Sequence, residues 1–459
     1  MQRDRSAIDY VLHTARENDV RFIRLWFADI LGNLKGFAIT VEELEDALES
    51  GVGFDGSAIQ GFARVDESDM VALPDPTTFR ILPWRPRENA VARIFCDILT
   101  PDGQPFEGDP RYVLRRNLQQ ASRMGFTYYV GPELEYYYFR DASSTQPLDR
   151  GGYFDQAPQA ELIADPRRDL GDVRRDAVDL RRDTVLTLAE MGIPVKYSHH
   201  EGAPSQHEID LQHSDALSMA DNVMTARLVI KEIASQKGVY ATFMPKPMPN
   251  ENGSGMHTNV SLFRRDRNLF YDETAPLRLS KLARSFIAGL LKHAAELTLV
   301  TNQWVNSYKR LVPGYEAPTY ISWASINRAD LIRVPSFRPG REERMRVEYR
   351  APDPACNPYL AFAVLLAAGL DGVEHELTAP EQMGENVAEM SEEARRQRNI
   401  GSLPGSLLEA IECTERSELV RMALGERVFR SLIQSKKIEW ERYRSQVTDY
   451  EIKYYLPVL

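Results

Sequence analysis

Three segments of this chain carry polar or charged side chains at every second position of what otherwise reads as β-strand. That pattern limits the fold more than any other feature. The run GPELEYYYF (131–139) sets Glu133 and Glu135 two residues apart among aromatics. In NGSGMHTNVSLF (252–263), the apolar Met256, Val260 and Leu262 interleave with His257, Asn259 and Ser261. In RMRVEYRAPD (344–353), Met345, Val347 and Tyr349 interleave with Arg344, Arg346, Glu348 and Arg350. Residues two apart on a strand face the same side, so each segment has one apolar and one polar face. One such strand needs nothing more than a sheet with a wet side. Several together need a cavity in which the charges neutralise one another.

A fourth segment, HHEGAPSQHEIDL (199–211), adds Glu201 and Glu208 on either side of a turn. Crowded carboxylates repel strongly unless a cation lies between them. Oxygen-rich donor sets suit Mg²⁺ and Mn²⁺, and Mn²⁺ also accepts imidazole. Arginines beside such a centre suit a polyphosphate, because guanidinium pairs with phosphate oxygens. Together these residue types point to metal-assisted phosphoryl transfer. No GxxxxGK[ST] run is present, so a nucleotide would not sit on a P-loop.

The 459 residues, 43% apolar and 27% charged, suffice for one large core and a second smaller one. The net charge of −11 argues against nucleic acid as the main partner. Cys96, Cys356 and Cys413 are odd in number, widely spaced and form no CxxC, which supports neither a disulfide scaffold nor a thiolate metal site. The charged start of the chain has no apolar signal-like core. The longest apolar run, Tyr359 to Leu370, is short of the ~20 residues of a membrane helix. A cytoplasmic protein without membrane contact is expected.

Along the chain, the alternating runs around Leu31-Gly32-Asn33 predict a hairpin over 20–40, and Ala90 to Leu99 reads as a strand. Asp109-Pro110 marks a helix start, which sets a domain boundary near residue 105 and predicts domains 1–105 and 106–459. Further strands are predicted at 127–139, 206–212, 255–263 and 343–350, and helices within 172–191, 214–237, 278–300 and 357–373. The elements do not alternate regularly, so an α+β fold is expected. An Arg-Arg-Asp triplet recurs at 167–169, 174–176 and 181–183; on a helix it reads as a solvated, salt-bridged face.

These segments closely resemble the signature stretches of type I glutamine synthetases. FDGSAIQGF (54–62), NGSGMH (252–257), KRLVPGYEAP (309–318), NRADLIRVP (327–335) and RVEYRAPDPACNPYL (346–360) match in order, and the resemblance spans nearly the whole chain. It implies a small N-terminal β-grasp domain and a large catalytic domain whose curved antiparallel sheet, flanked by helices, lines a funnel. It also implies a dodecamer of two hexameric rings with shared active sites. The implied reaction is ATP-dependent ligation of ammonium to the γ-carboxylate of glutamate through γ-glutamyl phosphate. Two or more Mg²⁺ or Mn²⁺ ions per site are implied as cofactors.

Carried over by motif, Glu135, Glu201 and Glu208 hold one metal, and Glu133, His257 and Glu348 the other. Arg328, Arg333 and Arg346 face the phosphates, with His257, Asn259 and Ser261 on the ATP side. Arg310, Arg350, Asn252 and Gly253 hold glutamate, and Glu316 closes the site as the flap carboxylate. Asp55, with Tyr153 and Glu201, binds ammonium and takes its proton. Arg64 and Glu439 match positions of glutamine feedback.

The match departs from the family in three places. Ala58 stands where a second serine is usual, which keeps open a γ-glutamyl-amide synthetase acting on a polyamine or small alkylamine. Ala388 stands where one branch has its adenylylated tyrosine, so no such regulation is expected. The stretch Gln156 to Asp183 is longer than in the shorter branch. A catalytically silent relative is the remaining alternative; the complete set of matched ligands speaks against it.

Overall fold

The computed structural model describes residues 5–56, 69–149, 171–326, 329–336 and 340–459, and of 171–178 the backbone alone. Helix α1 (Arg5–Glu17) buries Ile8, Val11 and Ala15. It packs beside β1 (Val20–Ala28) and α2 (Leu44–Ser50), and the small unit continues through β2 (Leu34–Thr40), β3 (Val52–Asp55), β4 (Asp69–Pro74), β5 (Arg80–Ile81) and β6 (Ala90–Leu99). These strands form a six-stranded sheet in the order β2-β1-β6-β4-β3, with β5 on β6. β1 and β6 run parallel and the other pairs antiparallel. The predicted hairpin is present, with Ala28 opposite Leu34. Its turn is organised by the Asp29 carboxylate, which accepts from Leu31 N (3.0 Å) and Asn33 N (2.9 Å). Gly32, at φ +78°, lies so close to Asn357 that an added Cβ would come within 2.8 Å of its Cα.

The larger unit begins at α3 (Pro110–Arg123), where Asp109 caps by accepting from Arg111 N (2.9 Å) and Pro110 takes the first helical position. Then come β7 (Thr127–Phe139), α4 (Gly171–Glu190), β8 (Val195–His200), β9 (Gln206–Leu211), β10 (Ser214–Asp215), α5 (Ala216–Gln236), β11 (Tyr240–Thr242), β12 (Met256–Arg264) and β13 (Arg267–Asn268). They are followed by α6 (Lys281–Thr301), α7 (Ser307–Arg310), β14 (Trp323–Ala324), β15 (Ile332–Arg333), β16 (Val347–Tyr349) and α8 (Pro358–Glu374). The sheet order is β14-β15-β16-β12-β7-β9-β8, with β10 and β11 on β7 and β13 on β12. The fold is α+β, as expected from the irregular order of elements.

Two expectations need correction. The sheet is mixed, not wholly antiparallel: β14 and β15 run parallel because the chain returns to the same end of the sheet between them. The strand expected over 343–350 shrinks to β16; Glu342–Arg344 instead forms a 3₁₀ turn, since those charged residues have no apolar face to bury.

Helices α6 and α8 make the tightest helix contact. They cross where Gly289 meets Gly372, and a Cβ on Gly289 would fall 2.1 Å from the Ala368 carbonyl. The Arg-Arg-Asp reading also changes. Of the three triplets, 167–169 lies outside the described residues and 174–176 has described backbone only. In the third, Arg182 is exposed, but Arg181 is 3% exposed. Leu180, Thr184 and Leu188 are buried on the same side of α4, and Arg181 is carried inward with them to donate to His207 Nδ1 at 2.7 Å.

The two sheets are joined by a buried ionic hub. Arg111 reaches Asp75 (2.8 Å) and Asp97 (2.5 Å) from the small sheet and Asp221 of α5 (3.0 Å). Tyr359 of α8 donates to the same Asp221 at 2.6 Å. Gln303 Nε2 holds the Leu31 carbonyl (2.7 Å) and Asn357 Nδ2 that of Asp29 (3.0 Å), so the hairpin tip is fixed to the floor of the larger unit.

Candidate active site

The polar faces of β7, β8, β9, β12, β15 and β16 meet along one side of the large sheet. Register decides which groups become neighbours. Glu135 of β7 lies opposite Glu208 of β9, and Glu208 opposite His199 of β8. Glu133 lies opposite His257 of β12. Asn259 lies opposite Glu348 of β16, and Glu348 opposite Arg333 of β15. Above these rows opens a cavity of about 750 Å³. Its wall includes these four glutamates and Glu201, His257 and the four arginines Arg310, Arg333, Arg346 and Arg350.

Two groups of ligand atoms on the cavity wall could each hold a cation. Glu133, His257 and Glu348 bring one atom apiece to within 4.8 Å of one another, as do His199, Glu201 and Glu208. The first is the expected trio. The second shares Glu201 and Glu208 with the other expected trio and adds His199, with Glu135 on the same cavity wall. Glu135 Oε2 accepts from Gly255 N (2.9 Å) and Gln206 Nε2 (3.0 Å), its Oε1 stays in the site 3.8 Å from His257 Nε2, and His199 Nε2 lies 2.6 Å from Glu201. His199 was missed in the sequence although it sits two residues before Glu201, the same spacing that singled out Glu133 and Glu135.

The electrostatics fit a divalent ion. Burial, and then the neighbouring Glu201 charge, pushes Glu135 up to about 8. Burial and a hydrogen bond with Asp210 push Glu208 well up. Burial works against the charge on Glu201, but the hydrogen bond and charge of His199, with a hydrogen bond to Glu208 and the charge of His257, together outweigh it and hold Glu201 below the usual carboxylate range. His257 is driven well below the ordinary imidazole range by burial and then by Arg350, so it is a neutral nitrogen donor. Carboxylates that are costly to ionise, beside a neutral imidazole, are the surroundings a hard cation stabilises.

The arginines form the other half. Glu348, 1% exposed, accepts from Arg350 (2.7 Å) on one oxygen and Arg333 (2.8 Å) on the other. Arg346 donates to Asn259 Oδ1 (2.7 Å), whose Nδ2 donates to Glu133 (3.0 Å). Arg310 lines the cavity but ties its guanidinium to the carbonyls of Ala351 (2.6 Å) and Arg350 (3.1 Å). Asn252 and Gly253 line the same wall. A Cβ on Gly253 would meet Pro245 O at 2.5 Å and Arg310 Cγ at 2.7 Å. Asn259 and Ser261 line an adjoining pocket of about 290 Å³ that shares Glu133 and Arg346 with the main cavity. Glu316 overhangs the rim from a flap whose backbone turns through Gly314 (φ +95°) and Glu316 itself (φ +51°).

Some expected residues lie elsewhere. Asp55 is exposed at the end of β3 and is not part of the cavity wall. Glu439 sits in a separate cleft, where it accepts from Val305 N (3.1 Å) and Lys436 Nζ (2.9 Å). Tyr153, Arg64, Arg328 and Ala58 lie outside the described residues. Ala388 is part of the cavity wall.

A carboxylate–imidazole–guanidinium cavity on a curled mixed sheet defines a metal-dependent enzyme of phosphoryl transfer. Comparison with known proteins makes the class specific. Residues 19–101 match the family model of the glutamine synthetase β-grasp domain, and 107–455 that of the glutamine synthetase catalytic domain. The chain is 53% identical to a glutamine synthetase of Mycolicibacterium smegmatis over 454 residues, 98% of each chain. It is 51% identical to one of Methanosarcina mazei (98% of this chain, 97% of that one) and 47% identical to one of Thermotoga maritima (98% and 99%). Among solved structures, a GmaS/ADP complex superposes with TM-score 0.83 at 29% identity, covering 97% of this chain and 99% of that one. The chain belongs to the glutamine synthetase family.

Proposed function

We infer that this chain carries out ATP-dependent glutamine synthesis from glutamate and ammonium. The observation that carries the reading is the continuity of one cavity wall, which joins both cation-ready trios to Arg333, Arg346 and Arg350 and ends under the Glu316 flap.

The chemistry needs each part. A carboxylate is a poor acylating agent because oxide leaves badly, so ATP must first turn the γ-carboxylate of glutamate into γ-glutamyl phosphate. Glu133, His257 and Glu348 would hold one Mg²⁺ or Mn²⁺, and Glu135, Glu201 and Glu208, with His199 beside them, a second. Such cations supply charge compensation for the phosphate oxygens. By the motif match we assign Arg328, with Arg333 and Arg346 of the cavity wall, to offset the charge that develops on the transferred phosphoryl group. His257, Asn259 and Ser261 line the nucleotide side. Arg310, by bracing the 350–352 backbone, sets Arg350 for the carboxylates of glutamate, and Asn252 and Gly253 meet its amino-acid end. Ammonium becomes nucleophilic only after losing a proton, and Asp55, with Tyr153 and Glu201, is the base we assign. Glu316 closes the site against water, which would otherwise hydrolyse the acyl phosphate.

Asp55 stands outside the wall of its own chain's cavity, so we assign it to the site of a neighbouring copy. With the apolar tail residues Tyr450, Ile452, Leu456 and Val458 exposed, this supports a ring assembly. We propose a dodecamer, checked by a light-scattering mass of about twelve 52.3 kDa chains. We also propose a division at residue 105, a cytoplasmic location and a feedback role for Arg64 and Glu439. No helix of the described residues is long and apolar enough to cross a membrane.

The test is a screen of glutamate-dependent ATP turnover with ammonium, putrescine and ethanolamine, with and without Mg²⁺ or Mn²⁺. Turnover that depends on ammonium and a divalent ion is expected. Turnover with putrescine or ethanolamine alone would transfer the assignment to the amide-forming alternative kept open by Ala58. Absence of phosphate release with every amine would refute the enzyme reading.

A further inference from the structure

Among the described residues, the flap that carries Glu316 has few ties to the rest of the chain. Two of its residues, Gly314 and Glu316, take positive φ (+95° and +51°). A non-glycine residue in that region costs of order 1 kcal/mol and persists only where its surroundings hold it. On the C-terminal side Ala317 is buried. On the N-terminal side, the described residues offer one marked contact: the Lys246 ammonium lies 3.4 Å from the centre of the Tyr315 ring. An ammonium over an aromatic face is attracted by the ring quadrupole, more strongly when it is removed from water. Lys246 is only 7% exposed.

Lys246 is itself firmly placed. Its ammonium donates to the Glu251 carbonyl, its N–H to Asn306 Oδ1 (2.7 Å), and its carbonyl accepts from Asn306 Nδ2 (3.0 Å). Ser254 N closes the loop onto Pro245 O (2.8 Å), and Tyr137 OH donates to Asn252 O. The same loop therefore carries the ammonium that touches the flap and, a few residues on, the Asn252–Gly253 wall of the cavity. Neither Lys246 nor Tyr315 lines that cavity.

We propose that Lys246 is a positioning residue of the flap: its ammonium, seated on the Tyr315 ring, links occupancy of the Asn252–Gly253 wall to closure of Glu316 over the acyl phosphate. The proposal rests on the glutamine-synthesis reading. A loosened flap admits water. Water then adds to γ-glutamyl phosphate, returning glutamate and phosphate, after ADP has already formed. The signature of a broken latch is thus extra ADP for each glutamine made, which a general loss of fold does not produce.

The experiment measures ADP and glutamine together in the full-length enzyme with ATP, glutamate, ammonium and Mg²⁺, for the wild type, Lys246→Met, Tyr315→Leu and Tyr315→Phe. The wild type is expected to give about one ADP per glutamine. Lys246→Met and Tyr315→Leu should raise the excess of ADP over glutamine, which measures hydrolysis relative to aminolysis, by roughly 2- to 20-fold, the range of a partly desolvated cation–π contact. Tyr315→Phe keeps the ring face and should stay within about twofold of the wild type. Tyr315 is only partly buried, so Tyr315→Leu is the deciding arm if Lys246→Met folds poorly. An unchanged ratio in Tyr315→Leu, including a proportional fall of both products, would overturn the latch. So would uncoupling by Tyr315→Phe as strong as by Tyr315→Leu. A wild type that makes no glutamine would instead refute the underlying reading.

Discussion

Glu348→Gln is the change that most directly probes how the site holds its cation. The wild-type carboxylate is 1% exposed, accepts from both Arg333 and Arg350, and has one oxygen within 3.8 Å of His257 Nδ1. The amide is nearly the same size, so packing is preserved. It offers one acceptor oxygen instead of two, and its NH₂ must face a guanidinium that also donates. One charge-assisted contact is lost, worth about 1.5–3 kcal/mol. Two arginines are left partly uncompensated beside the cation, which adds repulsion of the same sign. The least expected effect is therefore a weakening of divalent binding by about 10- to 150-fold. Calorimetric titration with Mn²⁺ in the absence of nucleotide reads this directly, and the Mn²⁺ dependence of phosphate release reads it in turnover. Glu392→Gln, on an exposed helix outside the cavity wall, should match the wild type. A half-saturation for Glu348→Gln within twofold of the wild type would refute the placement of the ion beside Glu133, His257 and Glu348.

Three further outcomes follow from the geometry. Gly253→Ala drives a Cβ into Pro245 O and Arg310 Cγ, so the KM for glutamate should rise at least tenfold while that for ATP moves little; equal shifts would count against a glutamate-side role. Gly289→Val cannot be absorbed where α6 meets the α8 backbone, and should cost about 1–3 kcal/mol or more, read as a lower melting temperature. His293 is buried between Glu296 (3.0 Å) and Asp371 (2.9 Å); burial works against its proton, but these hydrogen bonds outweigh it and raise its pKa. That stabilisation is complete below the ordinary imidazole value of 6.5 and fades as pH rises through the raised folded value. Glu296 and Asp371 are held below their ordinary 4.5 and 3.8 although burial opposes it, by hydrogen bonds with His293 and Ser417 and with Lys292 and His293 respectively. Their share is lost in acid. His293→Leu should therefore cost most stability near pH 5.5 and progressively less above neutrality; a penalty independent of pH from 5 to 9 would refute the charged bridge.

Much of this protein was legible from local pattern. Strand 127–139, the helix opening at Asp109 and the helices within 214–237, 278–300 and 357–373 follow from alternation, helical spacing and a cap, which are properties of nearby residues. The same alternation identified which side chains of 133–135, 257–261 and 346–350 share a face. Whether those faces meet is a matter of strand register, and register is set by long-range pairing that spacing does not encode. The tertiary structure alone put His199 across from Glu208, turned Glu135 toward Gly255, and carried Arg181 inward while Arg182 stayed in water. It also left Asp55 outside the cavity wall of its own chain. The sequence by itself determined the chemical kinds available to the site and the face on which each lies. Which of them became neighbours was decided only when distant strands closed one cavity, because burial and electrostatic coupling depend on distances between segments far apart in the chain.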